Sequence, residues 1–446
     1  MKIKKIYIEK LFDGVNVVVD LPNQGNVNIL YGQNGVGKTT VLQMVDALFN
    51  LRHKVFVDIP FATFKIELES GVFFQLNKRE LKGAPLEMNP SIYSRRAHAD
   101  MELIFSDGSK TFKVDFVKLN STASRIPSWF RQTGPNTWLD IRTRSRYTTS
   151  EFVETYPRFS YLTRSATNNE ERAKIDAIRD FLRINKTFFI ETQRLVVPQL
   201  KTSDDVLPDD SEAKTNISVE VCAKKLIEKI RSVSLEYANV SQTLERTFPQ
   251  RLIKHTSRYA RMNNLLDKLN ELESYRKELL DLGLSEPESV PVAPLKSAPE
   301  KFKNVLSLYL SDATDKLKVY RDLHRKVKLF MLLIGKRFYS KTMRVSVLKG
   351  IEFYSGKNQI PLPKLSSGEQ HELIMIYNFL FEIPERSTVL IDEPEISLHV
   401  CWQEGFLKDL NAIGESVGHN FIVATHSPSI INENWGIATE IRNVNV

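Results

Sequence analysis

Val27-Asn28-Ile29-Leu30-Tyr31-Gly32-Gln33-Asn34-Gly35-Val36-Gly37-Lys38-Thr39 is the stretch whose reading decides the fold. Gly32, Gly37, Lys38 and Thr39 fill every required position of a phosphate-binding loop. The mainly apolar run Val27 to Tyr31 reads as a buried strand. After the loop, Val41, Leu42, Val45 and Leu48 recur at helical spacing, so Thr40 to Leu48 reads as a helix. In a strand, loop and helix of this kind, backbone N–H groups close around the β- and γ-phosphates, with the helix dipole behind them. Lys38 is the candidate for neutralising phosphate charge, and Thr39 for offering its hydroxyl to Mg²⁺. Gly32, Asn34, Gly35, Gly37 and Thr40 complete the candidate contacts to a nucleoside triphosphate.

Two further apolar runs end in residues that suit the same ligand. Thr388-Val389-Leu390-Ile391 leads into Asp392-Glu393-Pro394, and Phe421-Ile422-Val423-Ala424 into Thr425-His426-Ser427-Pro428. Buried parallel strands deliver functional side chains at their carboxyl ends. Asp392 can hold Mg²⁺ through water, Glu393 can polarise an attacking water, and His426 is within reach of the γ-phosphate. Taken singly, each such end reads as a helix cap or a solvated turn. The phosphate loop is what makes the three ends point to one nucleotide.

Through these residues the chain resembles the ATP-binding-cassette ATPases, in the branch that includes the SMC chromosome proteins and the OLD-family ATPases. Leu365-Ser366-Ser367-Gly368-Glu369-Gln370 looks like the signature motif of that family and precedes a helix, Glu369 to Phe381. Ser366 matches the serine that donates to phosphate, and Gly368 the glycine behind it. Ser367 and Glu369 depart from the transporter form and agree with the SMC and OLD branches. His399 stands where many cassettes carry Asp. The resemblance implies an α/β fold, a P-loop ABC-type head with an antiparallel β subdomain and a short, coiled-coil-like helical insertion. It implies Mg²⁺-dependent ATP hydrolysis in a homo-oligomer, the signature of one subunit closing over the ATP of another. The implied segments are an N-terminal lobe over 1–200, a helical insertion over 201–340 and a C-terminal lobe over 341–446. In the family a Gln after an edge strand contacts Mg²⁺ and the attacking water. Gln193, after Thr187 to Thr192, is the candidate, although Arg194 suits phosphate equally well.

Composition fits a globular intracellular protein of two or three domains, with 446 residues of which 42% are hydrophobic. No run approaches the ~18 apolar residues of a membrane span, and the N-terminus reads as a first strand through Ile3, Ile6 and Ile8. Cys222 and Cys401 lack metal-ligand spacing and read as reduced packing residues in a cytoplasm. Val55 to Leu76 alternates as antiparallel strands around Glu69-Ser70-Gly71. Met101 to Leu119 does the same around Ser106-Asp107-Gly108-Ser109, and 120–165 shows no decisive pattern.

The middle reads as helical. Leu265, Leu269, Leu272 and Leu279 form an interrupted heptad seam, and Val219 to Leu244 carries Leu226, Ile230 and Val233 on one face. The two can pair as an antiparallel arm or pack as ordinary core helices. Four prolines make Leu284 to Pro299 a linker, and Phe302 to Met331 resumes as one long helix. A net charge of +8 is too mild to establish nucleic-acid binding. The local candidate is Arg142, Arg144 and Arg146, three guanidinium groups on one strand face. Arg131, Arg158 and Arg164 flank it, with Trp129, Phe130 and Trp138 nearby. Such a patch suits nucleic acid, an acidic protein or simple protection of a sheet edge.

Only 429–446 follow Pro428, so no nuclease domain is expected after the ATPase in this chain. That architecture resembles the ATPases of bacterial anti-phage systems of the PARIS type, which hold a separate TOPRIM nuclease and release it when a phage-encoded trigger protein is sensed. The Septu type, paired with an HNH nuclease, is a near neighbour. The alternative is a DNA-engaging SMC- or RecF-like repair or chromosome-maintenance ATPase.

Overall fold

The computed structural model describes residues 1–12, 14–78, 101–116, 119, 130–134, 137–141, 145–148, 151, 169–191, 218–255, 262–285 and 302–443. It forms two compact units, one from Met1–Thr215 with Pro384–Val446 and the other from Asn216–Ile383.

The first unit is built on a five-stranded parallel sheet in the order Thr187–Glu191, Thr388–Asp392, Asn420–Ala424, Val27–Tyr31, Ala438–Glu440. Its central strands are the apolar runs seen in sequence, and all five residues of Thr388–Asp392 are buried. Burial on both faces is why these strands show no alternation. Pairing sets Asp392 level with Ala424, and Ala424 level with Leu30. The loops that follow the three strands therefore start from one edge. The helix Lys38–Phe49 buries Val41, Leu42, Met44, Val45 and Leu48 in the same core.

Seven strands form the expected antiparallel sheet, in the order Arg442–Asn443, Val15–Asp20, Ile3–Leu11, Thr63–Leu68, Phe73–Lys78, Met101–Ser106, Thr111–Asp115. Alternation decides which face is buried: Phe64, Ile66 and Leu68 turn inward between Thr63, Lys65 and Glu67. In the expected turn after Ser106, Asp107 Oδ1 accepts from Ser109 N, Ser109 Oγ and Lys110 N at 2.8, 2.8 and 2.7 Å. The strand reading of Val55 is corrected, because His53–Asp58 is a helix that buries Phe56. Val55-Phe56-Val57 is a continuous apolar run, and such a run does not discriminate helix from strand. Lys78 Nζ then donates to the carbonyls of Phe56, Val57 and Ile59 at its C-terminal end. A small sheet of Phe130–Gly134, Thr137–Asp140 and Arg146–Thr148 occupies part of the stretch that sequence leaves open.

The second unit is mainly helical. Val219–Lys254 runs ten residues further than its apolar stripe indicates, with Pro249 inside it. It and Met262–Asp281 both pack on Lys303–Lys318. Arg251 grips the Asp312 carboxylate with two nitrogens, and Arg276 Nη1 lies 3.5 Å from the Tyr309 hydroxyl. The single helix expected from Phe302 to Met331 is also corrected: it breaks between Lys303–Lys318 and Arg321–Arg337. Leu310, Ala313, Leu317, Tyr320, Leu323 and Val327 are buried on both sides of the break, so periodicity runs straight through it. Tyr320 at the joint packs its ring against Tyr237 at 5.6 Å.

The signature segment falls within this second unit. Its helix Ser367–Tyr377 continues into a π-helical turn, Asn378–Glu382. Phe330 meets Tyr377 and Phe381 at 6.2 and 5.7 Å, which binds the segment to Arg321–Arg337. Of Leu284 to Pro299, read as a linker, residues 286–299 lie outside the described residues. Among the described residues no helix is long and apolar enough to cross a membrane.

Of the two cysteines read as packing residues, Cys222 is buried and Cys401 is exposed. Burial pushes the Cys222 thiol up to about 12, well above neutral pH. A charged-thiol reagent such as Ellman's should therefore titrate one cysteine in the native protein and two in denaturant, with Cys401→Ser removing the native signal. Two equivalents released at once from the folded protein would contradict this burial.

Candidate active site

The phosphate loop gains its shape from left-handed backbone at Gly35 (φ 81°) and Gly37 (φ 98°), where an L side chain is strained. A Cβ on Gly37 would also stand 3.1 Å from Leu11 Cδ2. Asn34 and Gly35 are exposed, whereas Gly32, Thr39 and Thr40 are half-buried. Lys38 is only 5% exposed, and its ammonium donates to the carbonyls of Gly32 and Gln33 at 3.0 and 3.1 Å. Burial pulls that ammonium below the ordinary lysine value, while Glu393, Asp392 and Glu395 pull the other way.

The other strand ends meet this loop. Thr39 Oγ1 donates to Asp392 Oδ2 at 2.8 Å, bringing together two hard oxygen donors. That pair fits a Mg²⁺ ion bound with phosphate. His426 Nδ1 lies 3.3 Å from Lys38 Nζ, and His426 Nε2 lies 3.8 Å from Glu393 Oε1. A charged lysine can only donate, so that contact suits a ring accepting at Nδ1, with Nε2 toward Glu393. Glu393 itself has a left-handed backbone (φ 46°) and anchors its N–H on the Ala424 carbonyl at 2.8 Å. A non-glycine residue pays for that conformation, and such strain gathers at functional sites.

Ser366 and Gly368 lie in the second unit. Ser366 is exposed and caps its helix, accepting from Glu369 N at 3.3 Å while Glu369 Oε2 accepts from Ser366 N and Oγ at 2.8 and 2.9 Å. Lys341 Nζ donates to both Glu369 oxygens at 2.6 and 2.7 Å. Burial alone would raise the Glu369 carboxyl, but Lys341 and Ser366 outweigh it and hold the group below the ordinary value. His399 caps the helix Val400–Val417, its Nδ1 accepting from Cys401 N at 3.4 Å.

Gln193 and Arg194 lie outside the described residues. The strand before them forms the sheet edge beside Asp392. Arg142, Arg144, Arg158, Arg164 and Trp129 also lie outside. Arg131 and Arg146 are exposed, whereas Phe130 and Trp138 are buried and so offer no ring for base stacking. Sequence reasoning missed Glu395, whose carboxylate reaches the loop that carries His426. No local signal marks it, since a carboxylate after proline reads as a solvated turn.

A family model described as an AAA ATPase domain (AAA_15) matches residues 1–431. The chain belongs to the AAA_15 family of AAA ATPase domains. A stretch of 72 residues is 36% identical to protein ea59 of Escherichia phage lambda, covering 16% of this chain and only 14% of that protein. Similar solved structures include the Pyrococcus furiosus Smc head domain with an extended coiled coil bound to the C-terminal domain of ScpA. It is 12% identical, with a TM-score of 0.32 and coverage of 100% of this chain and 96% of that one. The SMC head domain from Thermotoga maritima is 11% identical, with a TM-score of 0.32 and full coverage of both chains.

Proposed function

We propose that this chain is a Mg²⁺-dependent ATPase of the ABC type, working as a homo-oligomer with composite sites and serving as the ATP-driven sensor and scaffold of a separate nuclease. The meeting of Lys38, Thr39, Asp392, Glu393 and His426 at aligned strand ends carries the first part. Lys38 and the loop N–H groups bind the phosphates, while the Thr39 hydroxyl and Asp392 hold the ion. Mg²⁺, when bound, spreads and neutralises the charge that grows on the phosphate oxygens. Glu393 orients and polarises the attacking water, and His426 Nε2 faces the same place.

Ser366 supports the composite site. Its hydroxyl is exposed at a helix N-terminus, the end that favours anions, and the family resemblance pairs such a serine with the ATP of another copy. The sensor role rests on the PARIS-like and Septu-like resemblance, with a TOPRIM or HNH chain as effector and a phage protein as trigger.

Lys38→Ala should abolish ATP binding, whereas Glu393→Gln should keep nucleotide affinity within about threefold and slow hydrolysis ~100-fold or more. Equal loss of affinity in both variants would contradict these roles. Mixing Lys38→Ala protein with Ser366→Arg protein should restore part of the hydrolysis, because the hybrid interface contains one intact composite site. No recovery from subunits shown to exchange would rule out the shared site. Affinity purification from the host should bring down a nuclease chain, and the ATPase alone should cut neither DNA nor RNA. Hydrolysis that DNA stimulates, with no partner recovered, would favour the repair reading instead.

A further inference from the structure

Glu395 sits in the short 3-10 turn Pro394–Ile396, just beyond Glu393. Its carboxylate accepts twice from the neighbouring loop: Thr425 Oγ1 donates to Oε2 at 2.8 Å and His426 N–H to Oε1 at 2.7 Å. The network closes on itself. Ser427 N donates to Thr425 Oγ1 at 2.9 Å, and Ser427 Oγ donates to Gln403 Oε1 at 2.9 Å. Gln403 Nε2 returns to the Glu395 and Leu398 carbonyls at 3.3 and 3.4 Å. Thr425 is fully buried and Gln403 nearly so, and buried hydrogen-bond networks of this kind rigidify what they hold.

One of the pinned groups is the backbone N–H of His426, so the carboxylate fixes the residue whose ring lies between Lys38 and Glu393. Only a carboxylate offers acceptors at both ends; an amide would turn an NH₂ group toward one of the two donors. We propose that Glu395 is a positioning residue for hydrolysis, its two-point grip on Thr425 and His426 setting the imidazole between Lys38 and Glu393. The role rests on the ATPase reading of this site.

Steady-state kinetics of Glu395→Gln, in the wild-type and in the His426→Ala background, separates positioning from general stiffening. In the wild-type background kcat should fall about 10- to 100-fold with KM within about twofold, as expected for a misplaced catalytic group. In the His426→Ala background the same change should cost nothing more, since the effect passes through the imidazole. Thr425→Val, which removes one donor to the carboxylate, takes its place if the Gln variant fails to fold. A crystal structure of nucleotide-free Glu395→Gln should show the ring withdrawn from Lys38. That readout needs no turnover, so a wild-type protein without ATPase activity would overturn the ATPase reading while the crystal still decides the grip. An imidazole in unchanged place, or equal loss of kcat with and without His426, would overturn the role of Glu395.

Discussion

The parallel register that sets Leu30, Ala424 and Asp392 level across three central strands is the constraint on which the site depends. Because side chains alternate faces along a strand, a slip of one residue would turn each strand's set over and move its terminal loop by about 3.3 Å. Thr39 would then lose Asp392, and His426 would no longer lie between Lys38 and Glu393. The register is held by bulk burial rather than by any single bond: Ile29, Leu30, Ile391, Val423 and Ala424 are all fully buried. The strained φ of Glu393 persists on the same support, since its N–H is fixed to Ala424, the last residue of the neighbouring strand.

The signature segment is governed by a different physics. Ser366 is set by a capping box, and Glu369 completes that box while held by Lys341. One turn further along the helix, the buried Glu372 pairs with Arg337 of Arg321–Arg337. Breaking such a buried pair by removing one partner leaves an uncompensated charge. The helix that presents Ser366 is thus fastened to the helical unit at successive turns by Lys341, Arg337 and the Phe330 ring.

Much of the candidate site is legible because its signals are local. The phosphate loop needs glycine at fixed offsets, and fully buried strands announce themselves as β-branched runs that stop at polar residues. The antiparallel sheet was legible through alternation, as at Phe64, Ile66 and Leu68. What escaped depends on tertiary choice. The break at Tyr320 leaves the apolar stripe in phase, so no period reveals it. Arg251 of Val219–Lys254 meets Asp312 of Lys303–Lys318, two residues far apart in sequence that no local pattern links. Cys401 reads as a small apolar residue yet is exposed in the first turn of its helix, and Glu395 acquires its partners only when two strand ends come together.

The most direct measurement is a crystal structure with Mg²⁺ and a slowly hydrolysed ATP analogue. Converging strand ends require the γ-phosphate beside Lys38 and His426, with the metal on Thr39 and the Asp392 side, directly or through water. An analogue bound elsewhere, or a γ-phosphate remote from Glu393 and His426, would contradict the convergence of these residues on one ATP.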